Sequence, residues 1–103
     1  MIAVILKDDV QIIKVSPGVP LSPTVINNAL FRANSNKMYA KFIINNLFIQ
    51  VNFMRDGTIS VSSNIRTPAF VNDLAVKSRR GWTFAIVKAF VYQWLTLSRR
   101  TLV

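Results

Sequence analysis

The sequence predicts an α+β fold: a three-stranded antiparallel meander packed on a long C-terminal helix, with an N-terminal hairpin and a short helix before them. Three observations predict it. Residues 38–62 alternate apolar and polar side chains across two turn signals, Asn45-Asn46 and Arg55-Asp56-Gly57. Residues 82–98 are apolar around most of a helical circumference. With 103 residues and 51% hydrophobic content, the chain can bury one modest core and is too apolar for disorder. A single domain over residues 1–103 follows.

At the N-terminus, residues 2–6 and 10–15 are β-rich runs joined at Asp8-Asp9, which predicts a hairpin. Ser16-Pro17-Gly18-Val19-Pro20 reads as a turn. Ser22-Pro23 is an N-cap followed by Pro at the first helical position. Val25, Ile26, Ala29, Leu30 and Ala33 keep helical spacing, so residues 23–34 form a short helix that Asn34-Ser35-Asn36 ends.

The register of the meander follows from its turns. A two-residue Asn45-Asn46 turn pairs Ile44 with Leu47, Phe42 with Ile49, Ala40 with Val51 and Met38 with Phe53, all apolar and on one face. The opposite face receives Tyr39, Lys41, Gln50 and Asn52, with Ile43 and Phe48 near the turn. A three-residue Arg55-Asp56-Gly57 loop, with Gly57 at the left-handed position, then pairs Ile59 with Phe53 and Val61 with Val51. Thr58, Ser60 and Ser62 join the outer face.

Residues 64–81 admit two readings. Thr67-Pro68 begins a helix, and Phe70, Val71, Leu74 and Ala75 keep helical spacing up to Gly81; a looped strand is the other reading. Over residues 82–98 only a narrow polar stripe, Lys88-Tyr92-Thr96 beside Gln93, interrupts the apolar surface. Such a helix requires burial, and the apolar face of the meander is its natural partner. A membrane span is not expected, because residues 82–97 give about 24 Å at ~1.5 Å per residue. That is below the roughly 20 residues a span needs. A helix-turn-helix at Gly81 is not expected either, since a recognition helix has a polar exposed face.

The charges are lopsided. Thirteen Lys and Arg face four acids, Asp8, Asp9, Asp56 and Asp73, with no Glu, His or Cys. Residues 1–31 balance, so the whole excess of nine positive charges lies in residues 32–103. Such a surface repels itself unless a polyanion lies beside it. Without His or Cys there is no thiolate or imidazole to hold a metal or relay a proton near neutral pH. Binding without catalysis and without a cofactor is the expected role.

Two basic clusters bracket the C-terminal helix. Lys77, Arg79 and Arg80 precede it, where the helix dipole disfavours cations, so phosphate contact explains them better. Arg99 and Arg100 follow it, where the dipole accounts for cations as well as phosphate does. On the outer sheet face Tyr39 and Phe48 have the chemistry to stack bases beside Lys41. Phe48 with Ile43 is also read as a small second core under the N-terminal hairpin, which is the preferred reading for Phe48.

The order of meander, basic segment and long helix resembles the small-subunit ribosomal protein eleven family. The stretches that carry the resemblance are Ala40-Lys41-Phe42-Ile43-Ile44-Asn45-Asn46, Asp56-Gly57, and Ser78-Arg79-Arg80-Gly81-Trp82-Thr83-Phe84-Ala85. The last corresponds to Ser-Arg-Lys-x-Thr-Pro-Phe-Ala entering a helix, with Trp82 for the family's Thr and Thr83 for its Pro. The resemblance covers residues 38–98. It makes 64–76 the counterpart of a Gly-rich loop, without the glycines, and residues 1–37 an N-terminal extension. The family's second half has no counterpart before Val103.

The resemblance implies a structural constituent of the small ribosomal subunit that binds and organises ribosomal RNA beside neighbouring ribosomal proteins. Asn45 and Asn46 would form the hairpin tip, and Ser78, Arg79 and Arg80 the segment that grips phosphates, with Lys77 added on charge. No secretory signal or mitochondrial presequence is recognisable, and nine Asn suit an AT-rich genome. The expected setting is a mitochondrial ribosome, with an organelle-encoded chain as one option, and otherwise the cytoplasm. Two rival readings are a viral or phage single-stranded nucleic-acid-binding protein that uses Tyr39 and Lys41, and a structural virion or membrane-surface protein.

Overall fold

The computed structural model describes residues 2–7 and 10–101. Its elements are β1 (Ile2–Lys7), β2 (Val10–Val15), α1 (Pro23–Asn36), β3 (Tyr39–Ile44), β4 (Leu47–Phe53), β5 (Ile59–Ser63), α2 (Pro68–Arg80) and α3 (Phe84–Thr101). All five strands join one sheet in chain order, with β2 and β3 parallel and the other neighbours antiparallel. The fold is thus α+β with its last helix at the C-terminal end, but the sheet is larger than the expected meander. The hairpin of β1 and β2 is not a separate layer; it extends the sheet beside β3. Parallel neighbours need a long crossover, and the segment containing α1 supplies it. The Asp8-Asp9 turn lies outside the described residues.

Within the sheet, the meander has the register read from its turns. Ile44 pairs with Leu47, Phe42 with Ile49 and Ala40 with Val51, then Val51 with Val61 and Phe53 with Ile59. Beyond the end of the ladder, Phe53 N–H donates to the Met38 carbonyl at 2.8 Å. Asn45 takes φ 53° in the tight turn and Gly57 φ 89° in the three-residue loop. Met54 N–H closes that loop onto the Thr58 carbonyl at 2.9 Å.

Alternation along the strands then builds the core. Ile13 and Val15 from β2, Ala40, Phe42 and Ile44 from β3, and Ile49, Val51 and Phe53 from β4 are buried on one face. All three helices send their buried side chains into the same cluster: Ile26, Leu30 and Ala33 from α1, Phe70 from α2, and Val87, Val91 and Trp94 from α3. The result is two layers, with helices on one face of the sheet.

Local signals fix the helix ends. The Ser22 hydroxyl accepts from Thr24 N–H at 3.1 Å, with Pro23 in the first turn. Helix α1 runs two residues past its expected end because Lys37 supplies the stop, adopting a left-handed φ of 53°. Lys37 N–H bonds the Asn34 carbonyl and Met38 N–H the Ala33 carbonyl, the paired bonds of a Schellman ending. Residues 68–80 are helical, so the looped-strand reading gives way. Phe70 is buried and Leu74, one helical turn later, packs against the core from the same face of the helix. Gly81, at φ 97°, ends α2 and donates to the Lys77 carbonyl at 2.9 Å. Thr83 starts α3, its hydroxyl accepting from Ile86 N–H at 3.2 Å.

Candidate nucleic-acid interface

The first candidate surface is the corner where α2 ends and α3 begins. Lys77, Ser78, Arg79 and Arg80 occupy the last turn of α2; Ser78, Arg79 and Arg80 are exposed and Lys77 is half-buried. This placement changes the physical argument. These cations were expected to precede a helix against its dipole, yet they end one, where unpaired carbonyls attract them. A structural reason for Lys77, Arg79 and Arg80 therefore stands beside the phosphate reading. The stretch from Ser78 to Ala85 does enter a helix, since α3 starts at Phe84. The segment before it departs from the resemblance: residues 64–76 include most of α2 instead of a loop.

The second cluster divides. Arg100 is exposed, whereas Arg99 is half-buried and its guanidinium donates to the Val19 carbonyl in the connection between β2 and α1. Among the described residues its Nε is buried without a partner, as are the Trp94 indole nitrogen and the Ser98 hydroxyl on the same helix. Arg99 is thus committed to tying α3 to the β2–α1 connection, a role that the spacing did not indicate.

The third surface is the outer face of the sheet. The helices lie on the other side, so no helix among the described residues covers the outer side chains of β3 and β4. Tyr39, Lys41, Ile43, Phe48, Gln50 and Asn52 are all half-buried, and Ser60 and Ser62 are exposed. The second core expected under the hairpin does not form, because β1 and β2 lie beside β3 in the sheet and not over Phe48. Instead Lys41 Nζ sits 4.6 Å from the Phe48 ring centroid, a cation–π pair. Gln50 Nε2 donates to Asn52 Oδ1 at 3.0 Å and Asn52 Nδ2 to the Ser60 hydroxyl at 3.1 Å. Strands β2 to β5 contain no acidic residue, so within them Lys14 and Lys41 are the charged side chains of this face.

The hairpin tip, Asn45 and Asn46, is exposed at one end of the sheet, and a neighbouring side chain holds it. Asn64 continues the ladder past β5, accepting from Phe48 N–H at 2.9 Å and donating to the Asn46 carbonyl at 2.6 Å. The sequence signal was an Asn directly after the last strand, a residue able to mimic backbone pairing. At the opposite turn the Asp56 carboxyl accepts from the Thr58 hydroxyl at 2.6 Å and from Thr58 N–H at 2.9 Å. The hydroxyl first, and the amide second, hold it below the usual aspartate range.

One further concavity escaped the sequence reading. A groove of about 690 Å³ lies between α1 and the β1–β2 hairpin, lined by Val4, Gln11, Ile13, Phe31 and Arg32 among others. Phe31 is 59% exposed there and its ring meets that of Phe84 at 5.0 Å. No helix among the described residues is long and apolar enough to cross a membrane. Compared with protein-family models, curated proteins and solved structures, the chain finds no match.

Proposed function

We propose that this chain is a non-catalytic RNA-binding protein, and that its setting is the small subunit of a mitochondrial ribosome. The observation that carries the reading is the uncompensated charge: nine net positive charges, all within residues 32–103, on a chain that folds around one core. Dense phosphate is the partner that relieves such repulsion, and folded ribosomal RNA surrounded by other ribosomal proteins supplies it. Lys77, Ser78, Arg79, Arg80 and Arg100 are the phosphate contacts, with Asn45 and Asn46 at the far tip reaching backbone or sugar. Phosphate contacts position such a protein, and the shape of the RNA selects its place.

Sedimentation of native particles at low salt tests the setting. The protein is expected with small-subunit particles and is released as salt rises; its absence from ribosomal particles at low salt overturns the ribosomal setting. A second reading, a viral or phage protein that binds single-stranded nucleic acid, is favoured by the uncovered outer face of the sheet. Recovery of the native protein on free single strands, away from ribosomes, is the outcome that selects it. Recovery in virions or on membranes without nucleic acid sinks both readings.

A further inference from the structure

We infer that the outer face of β3 and β4 is a second RNA site, built for a short single-stranded segment and distinct from the basic corner at Arg79 and Arg80. The inference rests on the RNA-binding reading and gives it a substrate class. Tyr39 and Lys41 stand two residues apart on one strand, about 6.6 Å along the sheet. Neighbouring positions of one face thus carry an aromatic ring for a base and an ammonium for a phosphate of an extended strand.

The face is arranged before any ligand arrives. Lys41 is held over Phe48, so its ammonium sits at mid-face instead of sweeping through solvent, which lowers the entropy lost on binding a phosphate. That contact occupies Phe48 and leaves Tyr39, opposite Asn52 in the ladder, as the stacking ring. The hydrogen bonds from Gln50 to Asn52 and from Asn52 to Ser60 fix both amides. The Gln50 carbonyl oxygen, the second amide protons and the Ser60 hydroxyl proton keep hydrogen-bonding capacity that these two bonds do not use. A base lying on Tyr39 presents its Watson–Crick edge to groups of this kind. Duplex RNA cannot stack a base on Tyr39, because its bases are stacked inside the helix. Strands β2 to β5 place no carboxylate on the face to repel a phosphate.

The test uses the full chain, an unstructured RNA dodecamer and an RNA hairpin duplex, each fluorescently labelled, with circular dichroism as the folding control. Tyr39→Ala is expected to weaken dodecamer binding about tenfold and to leave duplex binding unchanged, while Tyr39→Phe restores the dodecamer. Lys41→Gln is expected to weaken the dodecamer and lower its salt dependence. Arg79→Ala with Arg80→Ala weakens the duplex. Photocrosslinking of a 4-thiouridine dodecamer to the wild-type chain supplies a readout independent of folding in the variants, with adducts expected on the β3–β4 peptides. Wild-type binding of the duplex alone, a Tyr39→Ala variant that holds the dodecamer as well as wild type, or adducts confined to the end of α2 would each overturn the face proposal and leave the RNA reading standing. Binding of neither RNA overturns both.

Discussion

The rings of Phe42 and Trp94 meet at 6.5 Å, tilted by 50°, with both residues completely buried between β3 and α3. This contact joins the centre of the sheet to the long helix. Trp94→Ala should therefore cost about 3–5 kcal/mol, the range for emptying a large buried aromatic site. Trp94→Phe should cost less, since it keeps most of the ring and removes an indole N–H that is buried without a partner among the described residues. Urea unfolding of the two variants against wild type measures both values.

A gain in stability is expected at the end of α1. Lys37 holds a left-handed φ of 53° in a position that glycine occupies without steric cost. Lys37→Gly removes the clash of Cβ with the following carbonyl but adds freedom to the unfolded chain and loses the 3.1 Å bond from Nζ to Asn34 Oδ1. The bond is exposed and weak, so the net change should be a stabilisation of up to about 1 kcal/mol, read as a raised urea midpoint at constant slope.

The opposite end of the same helix gives the reverse sign. Ser22 offers its hydroxyl to Thr24 N–H. Ser22→Ala leaves that N–H to water and should cost about 1 kcal/mol, whereas Ser22→Asn should be close to neutral. Thermal melts of the two variants separate these outcomes.

The Asp56–Thr58 turn carries a pH dependence of known sign. Hydrogen bonds from Thr58 favour the charged carboxylate, so the folded-state pKa lies below the ordinary 3.8. A depressed pKa contributes stability that is fully present above the unfolded value and is lost as pH falls through the folded one. An NMR titration should place the Asp56 midpoint below 3.8, with the Thr58 amide shift moving over the same range. Asp56→Asn should abolish that movement while keeping the loop.

Side-chain alternation and turn chemistry are local, so the pairings from Ile44–Leu47 to Phe53–Ile59 were legible residue by residue. The parallel partnership of Ile13 with Phe42 was not legible. Alternation reports which face a residue occupies but not which strand lies at its edge, and a crossover through α1 leaves no turn signal. The same limit applied to the basic residues. Lys77, Arg79 and Arg80 were visible as charge, but only the helical state of residues 68–80 shows which end of a dipole they occupy. The commitment of Arg99 to the Val19 carbonyl, 80 residues away in the chain, has no local signature at all.

That difference between arginines yields the sharpest functional prediction. Arg79 and Arg80 are exposed on the last turn of α2, whereas Arg99 is half-buried and bonded to Val19. Replacing Arg79 and Arg80 by Ala should leave the unfolding free energy within about 0.5 kcal/mol of wild type, as for other surface changes. The same pair should lower the dependence of log K on log salt by about 2, one for each phosphate no longer neutralised. Arg99→Ala should do the opposite: a loss of about 2 kcal/mol in stability for a charge-assisted bond, with an unchanged salt slope in the folded fraction. Fluorescence titrations of a structured RNA at several salt concentrations, paired with unfolding curves of each variant, distinguish the two roles. An unchanged slope for the Arg79 and Arg80 variant would show that these cations serve only the carbonyls at the end of α2.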